Sequence, residues 1–297
     1  LGDVYKRQLY FLLVIALFIT LSIIRLQSER TKRSVPQNSL RYGGVILMTL
    51  VIGYLSARPV LRWYYDATEM KDNTLTQKSI DVMKKLDGPL TITTYINMLD
   101  EDYFRGMPRY YNEDFERFEK FVRCKPEMKL KYVYYYDKVQ NSSLDRRYPG
   151  LSDEERLAKI CEVEEWDVKD ILTPEEIHKI EDLSGEYNKF ARVIERGNGQ
   201  KSILRIYDDN MRHPSETEIT AAFKRMVIKS PMVAFLEGHG ERSINGAGDR
   251  DYYAFSRYKA FRNSLVNQGF DNMTLCLDSL DRIPENVDIL VISDVRT

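Results

Sequence analysis

The sequence predicts two N-terminal transmembrane helices followed by an α/β region of two subdomains. Two uncharged apolar runs, residues 9–24 and 43–57, lie near the N-terminus. Beyond residue 65, β-branched segments of strand length alternate with segments of helical periodicity. Residues 232–236 form a continuous apolar run, which is typical of a parallel strand covered on both faces. Together these patterns predict a membrane anchor and a mixed α/β body.

The membrane segment is assigned to residues 9–65. A spanning helix needs about 20 apolar residues, so both helices must extend beyond their uncharged runs. The second run leads to an aromatic cluster typical of the lipid–water interface, Trp63, Tyr64 and Tyr65. A secretory signal peptide is the alternative for the first run, but a basic stretch follows it where a small-residue cleavage site is expected.

The stretch between the two runs is basic and gives the predicted orientation. We interpret it as a cytoplasmic loop, because positively charged loops stay inside. Residues from 66 onward are then extracytoplasmic. Against one acid, Glu29, the loop holds five basic residues, Arg25, Arg30, Lys32, Arg33 and Arg41.

Four segments are expected along the chain. Residues 1–8 contain DVYKRQ, which is typical of a translated sequencing adapter, so we exclude them and expect the native chain to continue upstream of Leu9. The membrane segment, 9–65, precedes a first α/β subdomain, residues 66–230. The second subdomain, residues 231–297, has too few strands for a finished sheet, and we expect it to be truncated.

Composition argues against several classes of function. The chain has net charge −1 and its first 65 residues hold 9 basic and 2 acidic side chains, so the body is acidic and no nucleic-acid partner is expected. No C-x-x-C pair occurs among Cys124, Cys161 and Cys276, which we interpret as buried thiols. No G-x-x-x-x-G-K-S/T loop occurs, so a P-loop ATPase is not predicted. No cofactor and no metal are expected.

The first subdomain begins with a helix over 76–86 and a β-α-β unit. Strands are predicted over 90–96 and 128–136, with a helix over 111–122 between them, so the strands should be parallel. Two acidic helices, a hairpin that turns at Gly197-Asn198-Gly199 and an amphipathic helix follow, at residues 152–163, 174–182, 190–207 and 215–229.

The second subdomain is predicted to open a doubly wound sheet. A strand over 232–236 is followed by a helix over 253–268 that Gly269 closes. An alternating strand over 273–277 and a buried strand over 287–292 complete the pattern.

The candidate functional site follows the first strand of this second sheet. Gly238, His239, Gly240 and Glu241 form a candidate ligand-binding loop, because ligands of open α/β sheets bind at the carboxyl ends of strands. The alternative is a tight turn that needs the positive φ of glycine. No serine or cysteine nucleophile stands in this turn and no G-x-S-x-G occurs, so no catalytic residue is predicted.

Other chemistry-bearing residues carry weaker signals. His178 and His213 have no partner at metal-ligand spacing in the sequence. Tyr132, Tyr134, Tyr135 and Tyr136 could form an aromatic carbohydrate platform, but we favour a strand with tyrosines on both faces.

Several motifs, in this order, resemble a known family. After the spanning helix come DNTLT at 72–76 and LDGPLTITTY at 86–95, and much later FLEGHGE at 235–241 and VDILVI at 287–292. Over residues 42–297 the chain resembles the GldG-like family, the gliding-motility-associated auxiliary components of ABC-type transport systems.

The resemblance implies a non-catalytic accessory subunit that works beside an ABC-2-type permease and a separate ATPase, anchored in membrane lipid. It implies a thioredoxin-like subdomain followed by an amidotransferase-like one, both used for binding. Some members resemble fusions, in which 9–24 would be the last helix of a permease. Two alternatives remain open, namely an envelope hydrolase or amidotransferase-like enzyme at the 238–241 loop, and a structural motility or envelope scaffold.

Overall fold

The computed structural model describes residues 2–31, 34–56, 66, 68–249, 251–276, 278 and 282–294. The chain divides into two compact units, Leu1–Glu69 and Met70–Thr297. The helices are α1 Gly2–Thr31, α2 Val35–Ser56, α3 Gln77–Lys84, α4 Tyr111–Cys124, α5 Ser142–Arg147, α6 Asp153–Glu164, α7 Pro174–Ile180, α8 Glu216–Lys224 and α9 Tyr253–Ser256. The strands are β1 Leu90–Asn97, β2 Lys129–Tyr135, β3 Ala191–Arg196, β4 Lys201–Arg205, β5 Met232–Leu236, β6 Asp271–Leu275 and β7 Ile289–Val291.

The first unit contains two helices that are long and apolar enough to cross a membrane. The qualifying segments are Tyr10–Thr31 and Val35–Ser56, and none of their residues is buried within the protein. The side chains of Asn38 and Ser28 are hydrogen-bonded to each other across the two helices. This agrees with the predicted pair of membrane helices.

The basic loop predicted between these helices is much shorter than expected. Arg25 lies inside α1, where its Nε is 3.5 Å from Glu29 Oε1 one turn later, and such pairs favour continued helix. Arg41 lies inside α2, which begins at Val35. Proline is tolerated at the second position, Pro36, because a backbone N–H in the first turn has no partner within the helix. Lys32 and Arg33, Ala57 and the aromatic residues 63–65 lie outside the described residues.

The first sheet has the order β2-β1-β3-β4. β1 and β2 are parallel, as predicted for a β-α-β unit with α4 as its crossover. β3 and β4 are antiparallel, and β3 is also antiparallel to β1. The predicted hairpin is confirmed, with Gly199 at φ +84° in its turn.

Helices cover both faces of this sheet, since successive strand residues point to opposite sides. Leu90 and Ile92 of β1 share a buried cluster with Phe121 of α4 and Phe223 of α8, whose ring centroids are 5.4 Å apart. Tyr95, on the opposite face, shares a cluster with Ile177 of α7.

Local caps explain where the helices begin. Reciprocal capping boxes join Ser152 to Glu155 at α6, Thr173 to Glu176 at α7 and Ser215 to Glu218 at α8, and each satisfies two free amides of a helix start. The helix predicted over 215–229 ends at Lys224. Beyond it the chain continues in tighter turns, in which the amides of Met226 and Val227 donate to the carbonyls three residues earlier, those of Phe223 and Lys224.

The tyrosines of β2 are core residues rather than a platform. Tyr135 is fully buried. Tyr132 stacks on Tyr111 with ring centroids 4.0 Å apart, and Tyr134 packs edge-on against Trp166 at 4.4 Å. The favoured interpretation, a strand with tyrosines on both faces, is confirmed.

The second sheet is parallel throughout and has the order β6-β5-β7. β5 is buried along most of its length, as predicted. β7 is not the buried strand that the sequence predicted, because Ile289 is 45% exposed and Ile292, just beyond it, 58%. The predicted boundary between residues 230 and 231 falls between the two sheets and stays a prediction.

The helix predicted over 253–268 is wrong beyond its first turn. Only α9, Tyr253–Ser256, is helical. The backbone carbonyls that a helix would use accept hydrogen bonds from other groups. The side-chain amide of Asn267 donates to the carbonyls of Lys259 and Phe261 at 2.8 and 2.9 Å. The amide of Asp208 donates to the carbonyl of Ala260 at 2.9 Å.

Candidate functional site

The predicted loop lies at the point where the second sheet reverses direction. In chain order the strands run 2-1-3 across this sheet, so β6 and β7 lie on opposite sides of β5. A crevice forms at such a switch point, outside the carboxyl ends of the strands. Residues 238–241 directly follow β5, which places the candidate loop at that crevice.

Backbone geometry in the loop explains its glycines. Gly238 has φ +131° and Gly240 φ +81°, conformations that L side chains adopt at a cost. A Cβ added at Gly238 would lie 3.0 Å from Cys276 Sγ. The amide of His239 donates to Glu241 Oε2 at 2.5 Å, which closes the turn. The tight-turn interpretation is therefore correct for the backbone, whatever the loop binds.

His239 is the exposed group of this loop. Its side chain is 47% exposed, whereas that of Glu241 is 1% exposed. Nδ1 lies 3.9 Å from Glu241 Oε1, and Nε2 lies 3.6 Å from Asp278 Oδ1. Both distances exceed a hydrogen bond, so neither acid fixes the imidazole as a general base.

The structure adds residues from the neighbouring strands that the sequence analysis did not assign. Cys276 follows β6 and lies against Gly238. Ser293 follows β7, and its Oγ accepts a hydrogen bond from Tyr252 Oη at 2.9 Å. Arg242 Nε lies 3.9 Å from Asp294 Oδ2. The available signal was that Cys276, Ser293 and Asp294 stand within three residues of the ends of predicted strands.

The two other histidines are not isolated. His178 Nε2 is 2.7 Å from Asp137 Oδ2, an oxygen that also accepts from Asn188 Nδ2 at 3.0 Å. His213 is partly buried among arginines. No group of three metal-ligating side chains occurs in the part of the chain that the structure describes. The buried state predicted for the three cysteines holds for Cys161, but Cys124 is exposed.

Two surface cavities lie away from this loop. One, of about 210 Å³, is lined by Gly246, Gly248, Asp251 and Tyr253 among others. The second, of about 300 Å³, lies in the first subdomain. Neither is lined by His239 or Cys276, so neither surrounds the candidate loop as an enclosed substrate pocket would.

Comparison with known proteins gives no relative. No protein-family model, no curated protein and no solved structure matches this chain. The resemblance to the GldG-like family therefore depends on the motifs and their order alone.

Substitutions in the loop should separate its backbone role from its side-chain role. We expect His239→Ala to change the free energy of unfolding by less than about 0.5 kcal/mol, since the side chain is exposed. Gly240→Val should lower it by about 1–3 kcal/mol, because a β-branched residue fits φ +81° poorly. Gly185→Val is the control, since no atom lies within 4 Å of its added Cβ. Denaturant unfolding of the full chain in micelles measures all three, and a large loss in His239→Ala would contradict the prediction.

Proposed function

We propose that this chain is a non-catalytic accessory subunit of an ABC-type transport system, anchored in the bacterial inner membrane with its α/β body on the periplasmic side. Its partners are an ABC-2-type permease and a separate ATPase. The substrate of the transport system is recognised or passed on by binding at the body, and energy comes from the ATPase.

The observation that best supports a non-catalytic role is the geometry of the 238–241 loop. It stands at the switch point of a parallel sheet, where such folds bind ligands, yet neither acid lies within hydrogen-bond distance of the His239 imidazole. Catalysis by a histidine needs a hydrogen-bonded chain from orienting acid to nucleophile. Binding needs no such chain, so the loop can hold a ligand without a catalytic histidine.

Topology supports the subdomain assignments that the resemblance implies. A β-α-β unit followed by an antiparallel hairpin supports a thioredoxin-like body over 66–230. The 2-1-3 order of the second sheet supports a doubly wound, amidotransferase-like body over 231–297.

Co-purification tests the proposal. The tagged full chain, expressed with the permease and ATPase encoded beside it, should retain both in mild detergent at a fixed ratio. A control chain in which residues 9–56 are replaced by an unrelated pair of spanning helices reports whether the anchor or the body makes the contact. Failure of both to retain either partner would contradict the proposal and favour a structural envelope scaffold.

Orientation is tested separately by reporter fusions. Alkaline phosphatase, which is active only outside the cytoplasm, should be active when fused after Asp66 and silent when fused at Ser34. The reason is that the basic residues around the helix connection favour the cytoplasmic side. The reverse pattern of activity would place the body inside the cell.

Thiol chemistry is the second candidate function, favoured by the position of Cys276. Its Sγ lies against Gly238, so the thiol and His239 belong to the same end of the sheet. A hydrolase would form a thioester between the Cys276 sulfur and an acyl carbon, while His239 takes the thiol proton and returns it to the leaving group as the acyl bond breaks. Water would then cleave the thioester and free the thiol. Cys276→Ser and His239→Ala would then each lower activity at least about 100-fold. We expect instead that both variants complement a deletion strain as well as the unaltered chain does.

A further inference from the structure

Arg192 of β3 is a fully buried cation with unused donors. Its guanidinium carbon lies 4.9 Å from the ring centroid of Phe190 and 5.7 Å from that of Phe118. Nη2 donates to Asp114 Oδ1 at 2.5 Å. Nε and Nη1 are buried and meet no acceptor among the residues that the structure describes. Since buried polar groups are normally paired, these donors are available to an acceptor from outside the chain.

Three further arginines reach the same region from separate segments. Arg105 belongs to the 3-10 turn Tyr103–Gly106, Arg117 to α4 and Arg212 to the segment before α8. Arg105 and Arg212 share one carboxylate, with contacts of 2.6 and 3.5 Å to Asp102. We call these three residues together with Arg192 the arginine cluster.

His213 connects the two halves of the arginine cluster. Arg117 and Arg192 share Asp114, while Arg105 belongs to the other half. Burial, and then the charges of Arg192, Arg117 and Arg105, lower the pKa of His213 to about 3, although Asp114 opposes them. The imidazole is therefore neutral at physiological pH, and its buried Nδ1 has no partner among the described groups.

Charge and exposure both favour an anionic ligand at the cluster. Its four guanidinium groups contact three carboxylates, those of Asp102, Asp114 and Asp208, so one positive charge is left over. The three arginines that accompany Arg192 are each about a quarter exposed. Solvent therefore reaches the cluster, and Arg192 lies beneath its surface.

We propose that the arginine cluster and His213 bind a phosphate group. Guanidinium groups match the geometry of phosphate and stay charged at every physiological pH. A neutral imidazole nitrogen can donate or accept according to its tautomer, which suits hydrogen phosphate because that ion carries both acceptor oxygens and a hydroxyl. This site is separate from the 238–241 loop and belongs to the first sheet.

Titration of the full chain in detergent micelles tests the site. Inorganic phosphate is added at constant ionic strength, with chloride as the balancing anion, and binding is followed by calorimetry and by the rise in Tm. Arg117→Gln and His213→Gln should each weaken phosphate binding roughly ten- to hundredfold, because each removes one hydrogen bond to a charged group. They are preferred to Arg192→Met, which also breaks a buried ion pair.

Arg109→Gln is the matched control. Arg109 is more exposed and pairs with Glu164 at 2.7 Å, outside the cluster, so its substitution should leave phosphate binding unchanged. Micelles that contain phosphatidic acid distinguish the source: competition with inorganic phosphate supports a lipid headgroup, and its absence supports a free phosphate. No saturable phosphate binding, or binding that survives both Arg117→Gln and His213→Gln, would overturn the proposal.

Discussion

Replacing Asp114 with asparagine is expected to lower the free energy of unfolding of the body by about 3–5 kcal/mol. Asp114 is 4% exposed and is the carboxylate that faces the buried Arg192 at 2.5 Å. Burial raises the pKa of Asp114, but Arg192, Tyr132 and Arg117 together lower it by more than burial raises it. The pKa is therefore below its ordinary value, and the carboxyl group is ionised in the folded state. Asparagine keeps the shape and removes the charge, which leaves an unpaired guanidinium in the core.

Glu113→Gln is the control for this substitution. Glu113 is the preceding residue of α4, carries the same charge and is exposed, so its neutralisation should change stability by less than about 0.5 kcal/mol. Fluorescence of Trp166, which packs against Tyr134 inside the body, reports urea unfolding of both variants. Equal midpoints for Asp114→Asn and Glu113→Gln would show that the pair contributes nothing to stability.

Arg262→Met is expected to destabilise the body by a similar amount, about 3–5 kcal/mol. Arg262 donates two hydrogen bonds to the Asp209 carboxylate, at 2.6 and 3.0 Å, and one to Glu218 at 2.7 Å. Its guanidinium carbon lies 4.6 Å from the ring centroid of Tyr207. Glu218 is 3% exposed, so loss of the arginine leaves a buried carboxylate with no cationic partner, held only by its helix-cap contacts and a 3.3 Å hydrogen bond from Gln268 Nε2. Methionine retains most of the volume and none of the charge.

The effect of Arg262→Met should also appear in cooperativity. Arg262 joins the segment after β5 to residues around the first sheet, so its loss should let the second sheet unfold at lower urea and broaden the transition. Lys229→Met, at an exposed position, should change neither the midpoint nor the width. A sharp transition with an unchanged midpoint in Arg262→Met would contradict the assigned role.

Much of the first sheet could be predicted because its signals are local. The capping box at Thr173 and Glu176 fixes the start of α7 from four consecutive residues. The β-branched run of β1 and the helical periodicity of α4 likewise need no knowledge of distant partners. Each of these elements was therefore placed to within one or two residues from the sequence.

Segments governed by distant partners could not be predicted in this way. Residues 257–268 have an apolar periodicity that favours helix, but Arg262 is held by Asp209 and Glu218, more than 40 residues away. The buried tyrosines and Arg192 show the same limit. The sequence of a strand does not indicate which helix will pack against a tyrosine or pair with a charged residue. The continuation of α1 through Arg25 and Glu29 is likewise not predictable from the end of the apolar run, because both residue types favour helix about as well as the apolar ones do.

The candidate loop could be found from the sequence, but its surroundings could not. Gly238 and Gly240 after a buried run indicate a turn with positive φ. Cys276 and Asp278 are almost 40 residues away, and only the parallel pairing of β5 and β6 brings them to His239. Predicting the strand order, in addition to the strands, would have placed them there.

The strand order of the first sheet also determines when the body can fold during synthesis. β1 is central, yet its antiparallel partner β3 leaves the ribosome about 100 residues later. At about 5–20 residues per second, one edge of β1 stays unpaired for roughly 5–20 s. An unpaired strand edge attracts other chains, so the nascent sheet is open to wrong pairing until β3 and β4 arrive, although Thr91, Thr93, Thr94 and Asn97 keep half of β1 polar.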